Sequence, residues 1–398
     1  MKNSVTNNHW LLPQGIEEAL PADAARLEAL RRNLLDMYAG WGYQLVMPPM
    51  IEFLESLLTG TGYDLNLQTF KLIDQLTGRS MGVRADMTPQ VARIDAHQLK
   101  QEGPNRLCYM GTVLHTVSDG FGSSRSPFQA GAELYGHGGI ESDVEILCLM
   151  VETLEAAGIK NLYIDIGHVG IYRGLARQAN FSEAQEAALF EMMQRKAIPE
   201  IQAFLAEQNI DKDVAEMLNL LPELHGGETC LQRAESAFAN ANESVKTALS
   251  YLQQAVSKFK QRVSNVDIHF DLSELRGYHY HTGLLFAAYI PGEGQEIARG
   301  GRYDDIGKVF GRARPATGFS TDLKTLLNLS KLKMTDSGPE AILAPNDDDP
   351  QLWQAIKELR AQGETVIQSL PGQPGDIDDL GCNRELKNTS GKWVVETR

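Results

Sequence analysis

The sequence has little with which to build a metal or disulfide framework. Of 398 residues only four are cysteine: Cys108, Cys148, Cys230 and Cys382. They are far apart and form no CxxC pair, so reduced core thiols are the expected state. Long apolar runs are missing, and nothing approaches the roughly 20 residues that a helical membrane span requires. The opening MKNSVTNNHW carries no apolar segment of signal-peptide type, so a cytoplasmic protein is expected. Blocks of lysine or arginine are missing too. With 37 basic against 52 acidic residues the formal net charge is −15, which opposes non-specific attraction to nucleic acid. What is there, 42% hydrophobic and 22% charged residues, is an ordinary globular composition. The length allows two or three domains.

Periodicity gives the order of elements. Residues 21–38 read as a helix, with Pro21 at its start and Leu27, Leu30, Leu34 and Met37 or Tyr38 as an apolar stripe; Gly40 and Gly42 end it. Residues 43–47 read as a strand halted by Pro48-Pro49, and 51–58 as a helix. Short strands are expected at 70–73 and 81–84. Asp86-Met87-Thr88-Pro89 then looks like a helix start, in which Asp86 and Thr88 serve either as caps or as ligand-facing groups. Residues 143–157 read as an amphipathic helix and 162–166 as a buried strand. Residues 171–261 change character, rich in Ala, Glu, Gln and Leu with helical periodicity, and read as a helical insertion. Strands return at 266–272 and 280–289. Arg299 to Asp304 reads as a glycine-rich bend; it lacks the GK[ST] of a P-loop, so a phosphate cradle there is weakly supported. Thr317 to Ser320 reads as the opening of a helix at 322–329. A polar linker, 331–339, leads to a small α/β unit closed by a hairpin at 385–396.

Two stretches hold the chemistry. Residues 106–136 read as strand, polar Gly/Ser loop (116–126) and strand. By the period of two, Leu107, Tyr109, Gly111, Val113 and His115 share a face. On the second strand Gln129, Gly131, Glu133 and Tyr135 oppose Phe128, Ala130, Ala132 and Leu134. This is either the floor of a small polar site or an amphipathic hairpin with a solvated outer face. The other stretch is LRGYHYHTG, residues 275–283. His279 and His281 share a strand face and could ligate a metal. With no third ligand nearby, aromatic and basic walls of an organic pocket are the stronger reading.

Together these residues resemble the class II aminoacyl-tRNA synthetases, and histidyl-tRNA synthetase most closely. GYQLVMPPMIE (42–52) resembles the first class II motif, the hairpin the second, and GRYDDIGKVFGRARPATGFSTDLKTLL (301–327) the third. LRGYHYHTG resembles the histidine-specific loop. The resemblance covers residues 10–330. It implies an α+β fold: a class II synthetase-like antiparallel sheet flanked by helices, with a helical insertion and a small α/β C-terminal domain. The implied boundaries are 1–170 and 262–330 for the core, 171–261 for the insertion and 335–398 for the last domain. It also implies a self-dimer through the core.

The departures from the pattern redirect the function. Where the family has an arginine for the ATP α-phosphate and a glutamate two residues on, this chain has His115 and Val117. The family's closing glutamate–arginine pair is Lys324-Thr325 here, so Thr325 stands where an arginine meets the γ-phosphate. Guanidinium gives a permanently charged fork for phosphate; histidine and threonine do not. At about 1.5–3 kcal/mol per charged contact, three losses make ATP activation of an amino acid an unlikely reaction. The histidine side is better kept. By resemblance Asp86, Thr88 and Gln129 would accept the α-ammonium, Glu133 and Tyr280 would hold the imidazole, and Arg276 would lie near the carboxylate. His281 replaces the second tyrosine of the loop. The combination is similar to the regulatory subunits of ATP phosphoribosyltransferase. That resemblance implies a non-catalytic subunit without cofactor, metal, tRNA or membrane. Its partner would be a short-form catalytic subunit, four copies of each, with histidine as feedback effector in the first step of histidine biosynthesis. The alternatives are an active histidyl-tRNA synthetase and a synthetase-like protein with another ligand.

Overall fold

The computed structural model describes residues 10–59, 63–118, 124–275, 277–278, 280–330, 341–372 and 380–397. Arg276 and His279, the centre of the loop at 119–123 and the linker at 331–340 lie outside the described residues. Two compact units divide between Lys331 and Leu332.

In chain order the strands are β1 (Gln44–Leu45), β2 (Ile51–Phe53), β3 (Lys71–Ile73), β4 (Ser80–Val83), β5 (Asn105–Thr112), β6 (Phe128–Tyr135), β7 (Tyr163–His168), β8 (His225–Gly226), β9 (Asp267–Asp271), β10 (Leu284–Tyr289), β11 (Ala298–Arg302), β12 (Ala316–Asp322), β13 (Ala341–Ala344), β14 (Val366–Gln368), β15 (Cys382–Thr389) and β16 (Lys392–Thr397). In the first unit nine of them form one sheet in the order β1-β5-β6-β12-β11-β10-β7-β9-β8. Its centre is antiparallel, as expected, but β1–β5 and β7–β9 are parallel pairs, so the sheet is mixed. β2, β4 and β3 make a separate three-stranded sheet.

The helix Pro21–Gly40 buries Leu30, Leu34 and Tyr38, the stripe its spacing set out. Ile140–Ala156 is buried nearly all round, as a helix between a sheet and other helices must be. It packs on β12 and on the long helix Glu243–Arg262. Between residues 169 and 262 the elements are helices joined by short turns, with the two-residue β8, and their apolar side chains join the same core as the sheet. Four expectations give way. Ile51–Phe53 is a strand before the one-turn helix Leu54–Leu57, because its backbone pairs with β4. Ala298–Arg302 is not a bend but a strand bonded on both sides, to β10 and β12; glycine is tolerated there because the ladder supplies the order. Thr317 to Ser320 lies inside β12, and the following helix, Leu323–Leu329, is capped by Asp322. The hairpin β5–β6 has no solvated outer face. Cys108, Ala130, Ala132 and Leu134 join the main core, while Leu107, Tyr109 and Tyr135 join a second cluster with Met87, Val91 and Tyr303.

An ion pair inside this core locks β11 to the start of Ile140–Ala156. Arg302, 5% exposed, is bidentate to Asp143, 0% exposed, at 2.9 and 3.1 Å. Ser142 accepts from the guanidinium at 2.8 Å and Tyr251 donates to Asp143 at 2.6 Å. Asp143 sits in the first helical turn, where the backbone N–H groups favour an anion. Burial alone would lower the Arg302 pKa, but Asp143 and Tyr251 hold it above the ordinary arginine value.

The second unit is a four-stranded sheet, β14-β13-β15-β16, with the helix Pro350–Ala361 on one face. Ile342, Leu352, Ile356, Val366 and Leu386 form its core, as the α/β reading of the tail anticipated.

Asp143→Ala should cost about 3–5 kcal/mol, because it strands a buried guanidinium. The urea midpoint should fall with little change in m. Adding Arg302→Met should recover part of that loss.

Candidate functional site

The site lies on the sheet face opposite the main core. Residues i, i+2 and i+4 of a strand share a face, so β6 presents Gln129, Gly131 and Glu133 together. β5 lies beside it in full register, with Tyr109 opposite Gly131 and Leu107 opposite Glu133. On the other flank β12 sets Gly318 opposite Glu133.

Glu133 is 1% exposed. Tyr109 donates to its Oε1 at 2.9 Å and Tyr303 donates to its Oε2. Thr88 Oγ1 extends the chain to the Tyr109 hydroxyl at 3.0 Å. This packing requires glycine at two neighbours. A Cβ on Gly318 would stand 1.6 Å from Oε2, and one on Gly131 2.4 Å from the Tyr109 hydroxyl. Burial pushes the Glu133 carboxyl up to about 8. The Tyr303 and Tyr109 hydrogen bonds pull it down, and the nearby Asp86 charge raises it. Burial, then the Glu133 charge, raises both tyrosines well above their ordinary range, so they act as neutral donors.

A second cluster adjoins it at Thr88. Asp86 Oδ1 accepts from Gln129 Nε2 at 2.8 Å and from the Thr88 N–H at 2.9 Å, and Gln129 Oε1 accepts from the Met87 N–H at 2.9 Å. Asp86 therefore does bond the first turn of the helix Thr88–Arg93, while its other oxygen makes none of these bonds. Cap and ligand-facing group are compatible roles for it. Beneath lies Arg84, 9% exposed, which donates to the carbonyls of Thr112 at 2.9 Å and Pro48 at 2.7 Å.

The aromatic loop joins the network through Tyr303. Tyr280 stacks on Tyr303 with ring centroids 4.9 Å apart, and His281 meets Tyr280 edge-on at 5.4 Å. The Tyr280 hydroxyl is buried and has no hydrogen-bond partner among the described residues. Next to it, Tyr278 anchors the loop to the helical segment. Arg173 donates to its carbonyl and covers its ring at 4.5 Å, and its hydroxyl donates to Glu186.

The structure thus links Asp86, Thr88, Gln129, Glu133 and Tyr280 in one network of hydrogen bonds and ring contacts through Tyr109 and Tyr303, with His281 against Tyr280; Arg276 falls outside the described residues. Tyr109 and Tyr303 were missed as site residues. Their signal was the glycine opposite each: Gly131 across from Tyr109, and Gly318 clearing the carboxyl that Tyr303 bonds. No cluster of three His, Cys, Asp or Glu residues suited to a metal occurs among the described residues, and His279 lies outside them.

Of the positions that the resemblance sets against ATP, His115 and Thr325 are bonded within the chain, as is the neighbouring Lys324. His115 Nε2 lies 2.9 Å from the Ala85 carbonyl. Val117 is 60% exposed and carries no charge. Thr325 donates to Asp322 at 2.7 Å as part of the helix cap. Lys324 Nζ donates to the Ser126 carbonyl at 2.7 Å, tying the helix to the hairpin loop. Arg125 donates to the carbonyls of His115 at 3.0 Å and Gln14 at 3.1 Å. No guanidinium is presented at the positions of the resemblance.

The family model for histidyl-tRNA synthetase matches residues 15–326, and that for the ATP phosphoribosyltransferase subunit HisZ C-terminal domain matches residues 339–396. The ATP phosphoribosyltransferase regulatory subunit of Thioalkalivibrio sulfidiphilus is 60% identical over 390 residues, 98% of each chain. That of Alkalilimnicola ehrlichii is 54% identical over 98% of this chain and 97% of its own. Among solved structures, an ATP phosphoribosyltransferase regulatory subunit/histidyl-tRNA synthetase from Bacillus halodurans superposes with a TM-score of 0.81 at 27% identity, covering 93% of this chain and 95% of that one.

The Glu133 carboxyl gives a pH signature. Its pKa rises on folding, so the folded chain holds the proton more tightly than the unfolded chain. That contribution is fully present below the ordinary carboxyl value of 4.5 and is lost as pH climbs to about 8. The loss across the window has an upper bound of about 5 kcal/mol, at about 1.36 kcal/mol per pH unit. Glu133→Gln should therefore gain stability relative to the wild type as pH is raised from 5 to 9. Urea titrations of both proteins at each pH check this; a constant difference would contradict the buried-acid assignment.

Proposed function

Because the chain belongs to the family of ATP phosphoribosyltransferase regulatory subunits, built on a histidyl-tRNA synthetase body, we propose that it binds histidine in the Glu133 site and passes that occupancy to a short-form catalytic subunit. The carrying observation is the contrast between two halves of one hairpin. Gln129 and Glu133 remain grouped with acceptors and tyrosines, while His115, Lys324 and Thr325 are spent on internal bonds.

Histidine suits the site chemically. Asp86, Thr88 and Gln129 offer acceptors for an α-ammonium. Glu133 and the Tyr280 hydroxyl offer partners for the two imidazole nitrogens, at the end of a stack of aromatic rings. Arg276 is assigned to the carboxylate by resemblance alone. Feedback requires that histidine bind one state of the assembly better than the other, by about 1–3 kcal/mol. The Tyr278 anchor gives the loop a route to the helical segment, through Arg173 and Glu186. The chain itself transfers nothing and reads no tRNA, in this proposal.

Assembly would use two surfaces. The body would dimerise through the 42–52 region, where Leu45, Met47 (79% exposed), Met50 and Ile51 are exposed apolar side chains that a partner could cover. The hetero-oligomer would hold four copies of each subunit. No helix among the described residues is long and apolar enough to cross a membrane.

Mixed with a short-form ATP phosphoribosyltransferase, the chain should form a larger complex with raised phosphoribosyl-ATP synthesis, inhibited by histidine. Glu133→Ala and Gln129→Ala should each weaken histidine binding to the isolated chain at least tenfold in calorimetry, about 1.4 kcal/mol or more. Full-strength binding by both variants would overturn the pocket. Histidine-driven pyrophosphate exchange by the purified chain should be undetectable; clear exchange would restore the synthetase reading.

A further inference from the structure

The C-terminal unit ends in an open edge. Its sheet runs β14-β13-β15-β16, and among the described residues no strand lies beyond β16. An edge strand offers a row of unpaired N–H and C=O groups to any chain that can match it, and natural edges are usually blunted by charges or bulges. β16 pairs with β15 without a bulge over six positions, from Thr389 opposite Lys392 to Arg384 opposite Thr397. Its charges are Lys392 and Glu396, one of each sign, placed symmetrically about Val394.

The turn fixes which groups face outward. Strands β15 and β16 are joined by Ser390 and Gly391 alone, with φ of 55° and 81°. A two-residue loop with both residues left-handed is the type I′ hairpin, whose flanking residues, Thr389 and Lys392, exchange backbone hydrogen bonds. Bonding direction alternates along an antiparallel strand. Lys392, Val394 and Glu396 therefore spend their backbone groups on β15. Trp393, Val395 and Thr397 turn theirs to the open side. The side chains divide the same way: Trp393 and Val395 pack against the core below the helix Pro350–Ala361, and Val394 is 39% exposed on the other face.

We propose that β16 is an assembly edge that pairs antiparallel with β16 of a second copy of this chain, about a two-fold axis at Val394. In that register Trp393 stands opposite Val395 of the copy and the two exchange their outward backbone bonds, twice by symmetry. Lys392 stands opposite Glu396 at both ends, and the two Val394 side chains meet on the exposed face. No other register does this. A slip of one residue puts the core-facing side chains on the wrong face; a slip of two sets Lys392 or Glu396 against Val394. The two charges thus act as a self-complementary pair rather than as a guard. Glu396 also has Lys387 of its own strand pair at 3.5 Å, and Lys387 has Glu385 at 3.1 Å, so the pairing extends an existing row of alternating charge. This interface is separate from the dimer surface of the body and does not rest on the histidine reading.

A cysteine at the axis tests it in the full chain. The four native cysteines are buried, and a central non-hydrogen-bonded pair holds its Cα atoms about 4.5 Å apart, within disulfide range. Under mild oxidation Val394→Cys should cross-link to a covalent dimer. Adding Lys392→Glu should slow cross-linking at least tenfold, and adding Glu396→Lys to that variant should restore it. Lys387→Cys, on the inner strand, should not cross-link. Without the new thiol, Lys392→Glu should lower the sedimentation mass of the concentrated chain, and the double charge swap should recover it. Cross-linking of Val394→Cys that is absent, or equally fast in all three charge backgrounds, would overturn the proposal, as would a sedimentation mass that Lys392→Glu leaves unchanged.

Discussion

The carboxyl of Glu133 is the constraint around which the site is arranged. An unpaired ionised carboxylate in a protein interior is costly enough that it either finds donors or stays protonated. Here it has two tyrosine donors and a pKa raised by burial. To bring those donors in, the strands on both sides must approach without side chains between, which explains glycine at 131 and 318. Tyr303 then supplies the surface on which Tyr280 stacks, and Tyr109 hands the network on to Thr88. The sheet carries its structural core on one face and this polar network on the other.

The same economy is visible where the synthetase pattern has been abandoned. Lys324 and Thr325 are not simply uncharged or displaced relative to the family's pair. One tethers the hairpin loop and the other completes a helix cap. Arg125 holds two backbone carbonyls and lies over the Phe70 ring. Each of these contacts is modest alone, about 0.5–1.5 kcal/mol for a neutral hydrogen bond and somewhat more with a charged donor.

Much of this was legible in the sequence, and the failures share a cause. The apolar stripe of the first helix, the β5–β6 hairpin, the helical run after β7 and the small α/β tail all declare themselves by period. Gln129 and Glu133 fall on one face by simple alternation. Three strands, around Ile51, Gly300 and Gly318, did not declare themselves. The first is only three residues long, the second is rich in glycine, and the third carries Gly and Ser beside a helix start; their order comes from neighbours distant in sequence: β4 for the first, β10 and β12 for the second, β6 and β11 for the third. The partnership of Tyr109 and Tyr303 with Glu133 was invisible for the same reason, since the two tyrosines are separated by almost two hundred positions and meet only through the sheet register. Conversely, the expectation of a solvated face on the hairpin failed because periodicity reports which residues share a side, not what covers that side.

The tether from Lys324 to Ser126 has an evolutionary implication. Once a side chain that faced a nucleotide has been given work inside the fold, restoring the old residue removes a stabilising contact before it restores any chemistry. An arginine returned at 115 alone would meet a hairpin loop fastened by Lys324, a helix end closed by Thr325 and no second guanidinium to share the phosphates. Each single step back is a loss, and only several together could be a gain. The packing at this corner therefore resists reversal one residue at a time.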